Sequence, residues 1–416
     1  DAYAEHLRAH RRPDQEFPVI DSIRVLNDSR VDDRAIARNI QQPVGEPLDL
    51  DLLRKNLGWI FDYGVFELVE FQISGEEGAT RLDVITNPKV YAPNILNFGV
   101  NFTAGGGGDN RLEARARYTR LELNPFGGEW RNDLRLGRIT ALTTEIYQPL
   151  AWNRRPFAAA QARLGSSGTD WYLDEDTRGE YRVHEREGRI NLGHRLGAVG
   201  AVRAGVSYGW VQALDEDGLG LDEYDGPRGG VVLGLGLDML DAAVLPTRGY
   251  RLEVDAFLAR TALGAASDYD RLDTRGAVVR TFGRHSVMLG ADGGTDFGSG
   301  MPAWETFRLG GLSRLSGYDQ DRFRGRVYGL GAISWYTRLS GSRSPLDTGW
   351  YLGVMLEAGN AWEKAREMRW DDLRYSGTVA LMARTLVGPV SVGYSRSADG
   401  HDALHLTLGK LVNTLD

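Results

Sequence analysis

The stretch FRLGGLSRLSGYDQDRFRG, residues 307–325, holds four arginines and four glycines in nineteen positions. It lies between two segments that alternate as β-strands. It is too long for a hairpin turn and too ordered in composition for a linker. Its serine does not spell a hydrolase: GLSRL (311–315) lacks the second glycine of a G-x-S-x-G elbow, so no such elbow is expected in this chain. No G-x-x-x-x-G-K-[ST] phosphate loop occurs, and GGGG (105–108) has no helix after it, so it reads as a flexible hairpin loop. The seven histidines are scattered. His6 and His10 share a helix face but lack a third zinc ligand. His401 and His405 would stand ~13 Å apart on a strand, too far for one metal. No catalytic residue and no cofactor is assigned, and the chain itself is expected not to be an enzyme. The loop therefore asks for a structural setting.

That setting is a long run of period-two segments. From Asn94 on, no helical period persists. Leu96, Phe98, Val100 and Phe102 alternate with polar or small residues, as do Tyr250, Leu252, Val254 and Ala256, then Trp350, Leu352, Val354 and Leu356, then Leu404, Leu406 and Leu408. Each segment has one apolar face and one face of charge or glycine. About sixteen such segments fit, an even number as in bacterial outer-membrane barrels. Short connections (124–128, 194–198, 282–285, 386–389) alternate with long ones (214–227, 298–324, 361–372). The polar-face carboxylates read as lumen wall. Closure would pair every backbone group, as hydrocarbon demands. Aromatics near strand ends (Tyr147, Trp152, Trp171, Tyr172, Trp210, Trp335, Tyr336, Trp350) suit the membrane interfaces. The alternatives are a soluble sandwich, which rarely continues through so many strands, and a propeller, which should repeat internally and does not.

Composition agrees. The chain has 416 residues, 53 glycines, 17 tyrosines, 10 tryptophans, no cysteine and a net charge of −8. A thiol-free chain suits an oxidising compartment. The acidic balance without a basic block argues against a nucleic-acid partner. No apolar run reaches the ~18 residues of a membrane helix.

Ahead of the strands, FPVIDSIRVLNDSR reads as a short strand and turn. Asp32 is placed to cap a helix through about Ile40. Gly45 and Pro47 break the chain, and Asp49 caps a second helix with Leu50, Leu53, Leu57 and Ile60 on one side. Val65–Ile73 and Arg81–Ile85 then read as strands. The order β-α-α-β-β makes a small two-layer α+β unit. With GEPLD before the second helix and YGVFELVEF after it, this unit resembles a POTRA domain, the alternative being a generic α+β module. The expected layout is a linker helix over 1–17, POTRA over 18–90 and barrel over 91–416. The start DAYAEHLRAHRRPDQ reads as the tail of something upstream.

At this point LGGLSRLSGYDQDRFRG resembles the loop-six motif of the BamA/TamA superfamily of outer-membrane insertases and transporters. LPTRGY (245–250) and LEAGNAW (356–362) extend the resemblance over nearly the whole chain. It implies a mainly β fold, a sixteen-stranded antiparallel transmembrane barrel preceded by the POTRA unit, with the loop joining strands eleven and twelve and folding back into the lumen. In the family, an arginine at the tip pairs with a carboxylate on the inner wall. Here the tip reads LSGY, so Ser316 stands in the arginine's place. Glu357 keeps the carboxylate on a polar face, and its cation is expected from Arg314, Arg322 or Arg324. Gly310, Gly311, Leu315, Gly317 and Tyr318 complete the motif. The weak point of the wall is expected at the seam between strands 94–104 and 402–412, with Gly99 and His405 as seam markers; it would open sideways or pair with a second copy.

The LSGYDQDRF form with a single POTRA resembles one branch, the translocators of PlpD-like patatin autotransporters of type Vd secretion. That implies a patatin-like lipase passenger upstream, bearing the Ser/Asp dyad that this chain lacks. It further implies outer-membrane lipid around the barrel, the POTRA in the periplasm, and encounters with periplasmic chaperones and the barrel-assembly machinery. A BamA/TamA-like insertase is the competing function. A passive porin is disfavoured by the POTRA and the plugging loop.

Overall fold

The computed structural model describes residues 17–61, 63–75, 79–89, 93–105, 110–151, 153–172, 178–197, 199–340, 349–385 and 388–409. The expected linker helix (apart from Phe17) and Trp152 lie outside these residues. So do most of GGGG and the end of the last expected strand. The described residues form two compact units: one from those within 17–94, 120–129 and 148–155, the other from the remainder of the described residues.

The first unit holds β1 (Ser22–Asn27), α1 (Asp33–Ala37), α2 (Leu50–Phe61), β2 (Phe66–Ser74) and β3 (Arg81–Pro88). β3 is central, parallel to β1 and antiparallel to β2. Asp32 caps α1 by accepting the Arg34 N–H, and Asp49 Oδ1 accepts the N–H groups of Asp51 and Leu52 at the start of α2. These bonds satisfy amides that a helix start leaves free. α1 ends at Ala37, short of Ile40. The Asn39 amide donates to Ala35 O and Tyr63 Oη, which closes the helix early. The buried stripe of α2 is Leu53, Asn56 and Ile60. Asn56 is an unexpected polar member, and its Oδ1 accepts the Gln41 N–H.

The second unit is a closed barrel of sixteen antiparallel strands. In chain order these are β4 (Asn94–Gly105), β5 (Asn110–Arg120), β6 (Glu129–Leu136), β7 (Ile139–Pro149), β8 (Pro156–Tyr172), β9 (Arg178–Arg195), β10 (Gly200–Asp215), β11 (Tyr224–Asp238), β12 (Arg248–Ala259), β13 (Tyr269–Phe282) and β14 (His285–Thr295). A small hairpin, β15 (Phe307–Leu309) with β16 (Phe323–Gly325), interrupts the run. The barrel then continues through β17 (Val327–Ser340), β18 (Trp350–Trp362), β19 (Arg374–Thr385), β20 (Gly388–Ser397) and β21 (Asp402–Gly409), which closes on β4. Antiparallel neighbours need only short connections, so the period-two pattern dictates an up-and-down order.

Outward positions are apolar and exposed: Leu96, Leu142, Leu164, Ile190, Leu289, Leu356 and Leu404 among them. A band of this kind is what lipid covers in a membrane barrel. Inward positions carry ion pairs, such as Arg117–Asp133 at 2.6 Å and Arg228–Glu187 at 2.8 Å. The aromatic-belt expectation needs correction. Trp210 and Trp350 are exposed, but Tyr147 and Tyr336 are buried, and Trp171 and Tyr172 lie under loop arginines. Proximity to a strand end does not say which face a ring takes.

Candidate functional site: the loop tip and its wall

The segment between β14 and β17 turns back into the barrel and brings its own apolar core. Met301, Phe307, Leu309, Leu315 and Tyr318 are buried against Val232, Phe257, Tyr269, Tyr328 and Leu330 of the wall. Burial of that much apolar surface supplies the drive for seating. β15 and β16 hold the neck of the loop, with Arg308 opposite Arg324. Gly310 permits the turn beyond it: its φ is +124°, and a Cβ there would meet Asp319 O at 2.0 Å. Its N–H donates to Arg314 O, and that of Gly311 to Tyr318 O.

At the tip, Ser313 (φ +60°) and Leu315 (φ +74°) take left-handed backbone. This curls successive amides toward one point, an anion-binding concavity. Glu357 of β18 fills it. Its Oε1 accepts the Leu315 N–H at 3.0 Å and its Oε2 the Ser316 N–H at 2.8 Å. The Gly317 N–H donates to Ser376 Oγ of β19 at 2.7 Å, and Tyr318 Oη donates to Asp399, in the turn after β20, at 2.7 Å. Ser316 Oγ accepts the Ser313 N–H and so braces the turn from within.

No arginine of the loop supplies the cation expected for Glu357, and this corrects the sequence expectation. The Arg314 guanidinium donates to Arg308 O and lies 5.2 Å from the Tyr328 ring. Arg322 stacks 4.4 Å over Tyr172, and Arg324 4.1 Å over Trp171. The carboxylate is buried at 2% exposure. With serine at the tip no long cation reaches it, and charge-assisted backbone bonds take over.

A buried ion pair between loop and wall does exist, with its polarity reversed. Glu305 of the loop meets Arg228 of β11, which also pairs with Glu187 of β9. Tyr269 Oη donates to Glu305 at 3.0 Å. Burial pushes the Glu305 carboxyl up, but Arg228 and Arg271 outweigh it and hold the group below the usual carboxylate range. Glu305 and Arg228 escaped the sequence reading. The only signal was an acid in PAWETF and an arginine on the polar face of its strand.

At the seam, β21 pairs with β4 over Ala403–Gly409 against Gly99–Gly105. Gly99 and His405 both lie there but are not opposite one another: His405 faces Thr103, and Gly99 faces Gly409. One G-x-S-x-G spacing does occur, at Gly205–Gly209, against expectation. It lies inside β10 rather than at a strand-to-helix turn, and Ser207 Oγ has no hydrogen-bond partner among the described residues. It lacks the base that would activate a nucleophile.

A family model described as the Omp85 superfamily domain matches residues 140–410. Among solved structures, BamA from Haemophilus ducreyi lacking POTRA domains 1–3 matches at a TM-score of 0.67 and 14% identity, covering 94% of this chain and 84% of that one. CdiB from Escherichia coli matches at 0.66 and 12% identity, over 94% and 76%. CdiB from Acinetobacter baumannii matches at 0.60 and 12%, over 94% and 74%. At these identities the likeness is one of fold. No curated protein matches the chain.

Proposed function

The chain belongs to the Omp85 superfamily of outer-membrane barrels, and from that premise we propose that it is the translocator of a type Vd autotransporter, which secretes or displays a patatin-like lipase passenger carried ahead of Asp1. The observation that carries the reading is the tip. Ser316 replaces the arginine of the insertase-like motif, and backbone amides of Leu315 and Ser316 take the Glu357 carboxylate. The β-α-α-β-β unit at 18–90 is read as a POTRA domain, supported by its element order and its central β3. In this reading the POTRA stands in the periplasm, lipid surrounds the barrel, and chaperones and the assembly machinery deliver it. The passenger crosses at the barrel, and the chain contributes no catalysis.

The test is a patatin-like lipase fused ahead of Asp1 behind a secretion signal. Lipase reached by protease on intact cells is the expected result. A lipase retained in the periplasm, together with rescue of cells depleted of their barrel insertase, would overturn the reading in favour of an insertase.

A further inference from the structure

His405 sits on the closing strand, at 3% exposure, with both ring nitrogens engaged. Nε2 lies 3.2 Å from Ser316 O, the carbonyl of the loop tip, and Nδ1 lies 3.2 Å from Thr103 Oγ1 on β4. A carbonyl only accepts, so Nε2 carries the proton; in the neutral ring Nδ1 then accepts from the Thr103 hydroxyl. The ladder continues along the lumenal face of the seam. The Asn101 amide reaches Thr103 Oγ1 at 3.5 Å, and Thr407 Oγ1 donates to Asn101 Oδ1 at 3.2 Å. The polar cross-links of the seam thus run into the loop tip, which is itself fixed to β18 by Glu357 and to β19 by Ser376. Among the described residues the seam pairs along Gly99–Gly105 and Ala403–Gly409, and β9 and β10 pair along Tyr181–Arg195 and Ala201–Asp215.

We propose that the loop tip is the bolt of the β4–β21 seam and that His405 is the positioning residue linking them, so that the seam opens when the tip lifts and the tip is held when the seam is shut. A ring gripping both partners gives the closed seam a contact that exists only with the tip seated. Coupling of this kind is reciprocal: whatever factor the tip imposes on the seam, the seam imposes on the tip. The inference does not depend on which passenger or client uses the barrel, because the test reads the seam itself.

The chain has no cysteine, so Leu404→Cys with Ala104→Cys, Cα partners across the seam, makes a lock that oxidation closes. In vesicles, trypsin cleavage after Arg322 or Arg324 reports the lifted tip. Closing the lock should slow that cleavage by about fivefold or more. Glu357→Gln, which loosens the tip, should slow oxidative closure of the lock by a similar factor, because an opened seam separates the two thiols. His405→Gln keeps an amide near the Nε2 position and loses Thr103. His405→Asn keeps one near Nδ1 and loses Ser316. Both should abolish the response of cleavage to the lock. Thr103→Val, which leaves the ring and the tip intact, should do the same and serves if a His405 variant fails to fold. A response below twofold in the parent overturns the proposal, and so does a full response in Thr103→Val. A His405 that merely fills space would leave the response unchanged in the Gln and Asn variants.

Discussion

Removing the Glu357 carboxylate tests what seats the loop. In Glu357→Ala, the Leu315 and Ser316 N–H groups lose their acceptor in a site where both residues are buried, with Leu315 and Ser316 at 0% exposure. A buried donor left unpaired costs about 1–3 kcal/mol, so two cost about 2–6 kcal/mol. The loop carries its own reporters, since Arg314, Arg322 and Arg324 are trypsin sites that seating protects. Where reclosing outruns cleavage, the cleavage rate follows the open population. Even the lower figure then predicts cleavage roughly 30-fold faster than in the parent. Glu357→Gln should fall between, because one amide oxygen still accepts. Arg314→Gln should combine additively with Glu357→Ala when cleavage after Arg322 is followed, since the two side chains share no contact. The reasoning is refuted by an acceleration under threefold in Glu357→Ala, or by strong non-additivity with Arg314→Gln. The latter would restore the arginine as the carboxylate's partner.

Arg228→Ala should destabilise the seated loop more than Glu305→Ala, since it leaves the buried Glu305 carboxylate without its ion-pair partner, whereas in Glu305→Ala the Arg228 guanidinium keeps Glu187; breaking a buried pair costs about 3–5 kcal/mol, read as loop cleavage or as the midpoint of heat-modifiable gel mobility. Because the Glu305 carboxyl is held below its usual range, its stabilisation is fully present above its unfolded value of roughly 4.3 and fades as the pH falls through the lower folded value; pepsin should therefore begin to cut the loop only below that range, and earlier in Arg228→Ala. Gly317→Ala should unseat the tip, because its Cβ would stand 2.3 Å from Ser397 N and 2.5 Å from Arg396 C, whereas Gly329→Ala on β17 meets nothing within 4 Å and should be nearly silent in the same cleavage assay. Protease added outside intact cells should spare residues 19–90 until the outer membrane is breached; earlier cleavage there would contradict a periplasmic POTRA.

The strands were legible from the chain because their signal is local. Alternation at Leu96–Phe102 or Trp350–Leu356 assigns each residue to one face of a pleat, and an even run of such segments calls for closure. The caps at Asp32 and Asp49 were legible for the same reason: a carboxylate two or three residues from an orphan amide needs no distant partner. Strand parity also placed Glu357 on the inner wall. Parity could not name what Glu357 holds. The pattern asked for an arginine, but the partner is backbone, and every residue has an amide, so nothing in the letters LSRLSGY marks the Leu315 and Ser316 N–H groups as the donors. The left-handed turn that aims them exists only once Leu315 is buried and Gly310 and Gly317 bring backbone against backbone. The reversed pair of Arg228 with Glu305, and the reach of His405 from Thr103 to Ser316, join residues 77, 302 and 89 positions apart. Such contacts are set by barrel closure and loop insertion, long-range events that no local period encodes, so they belong to the tertiary structure alone.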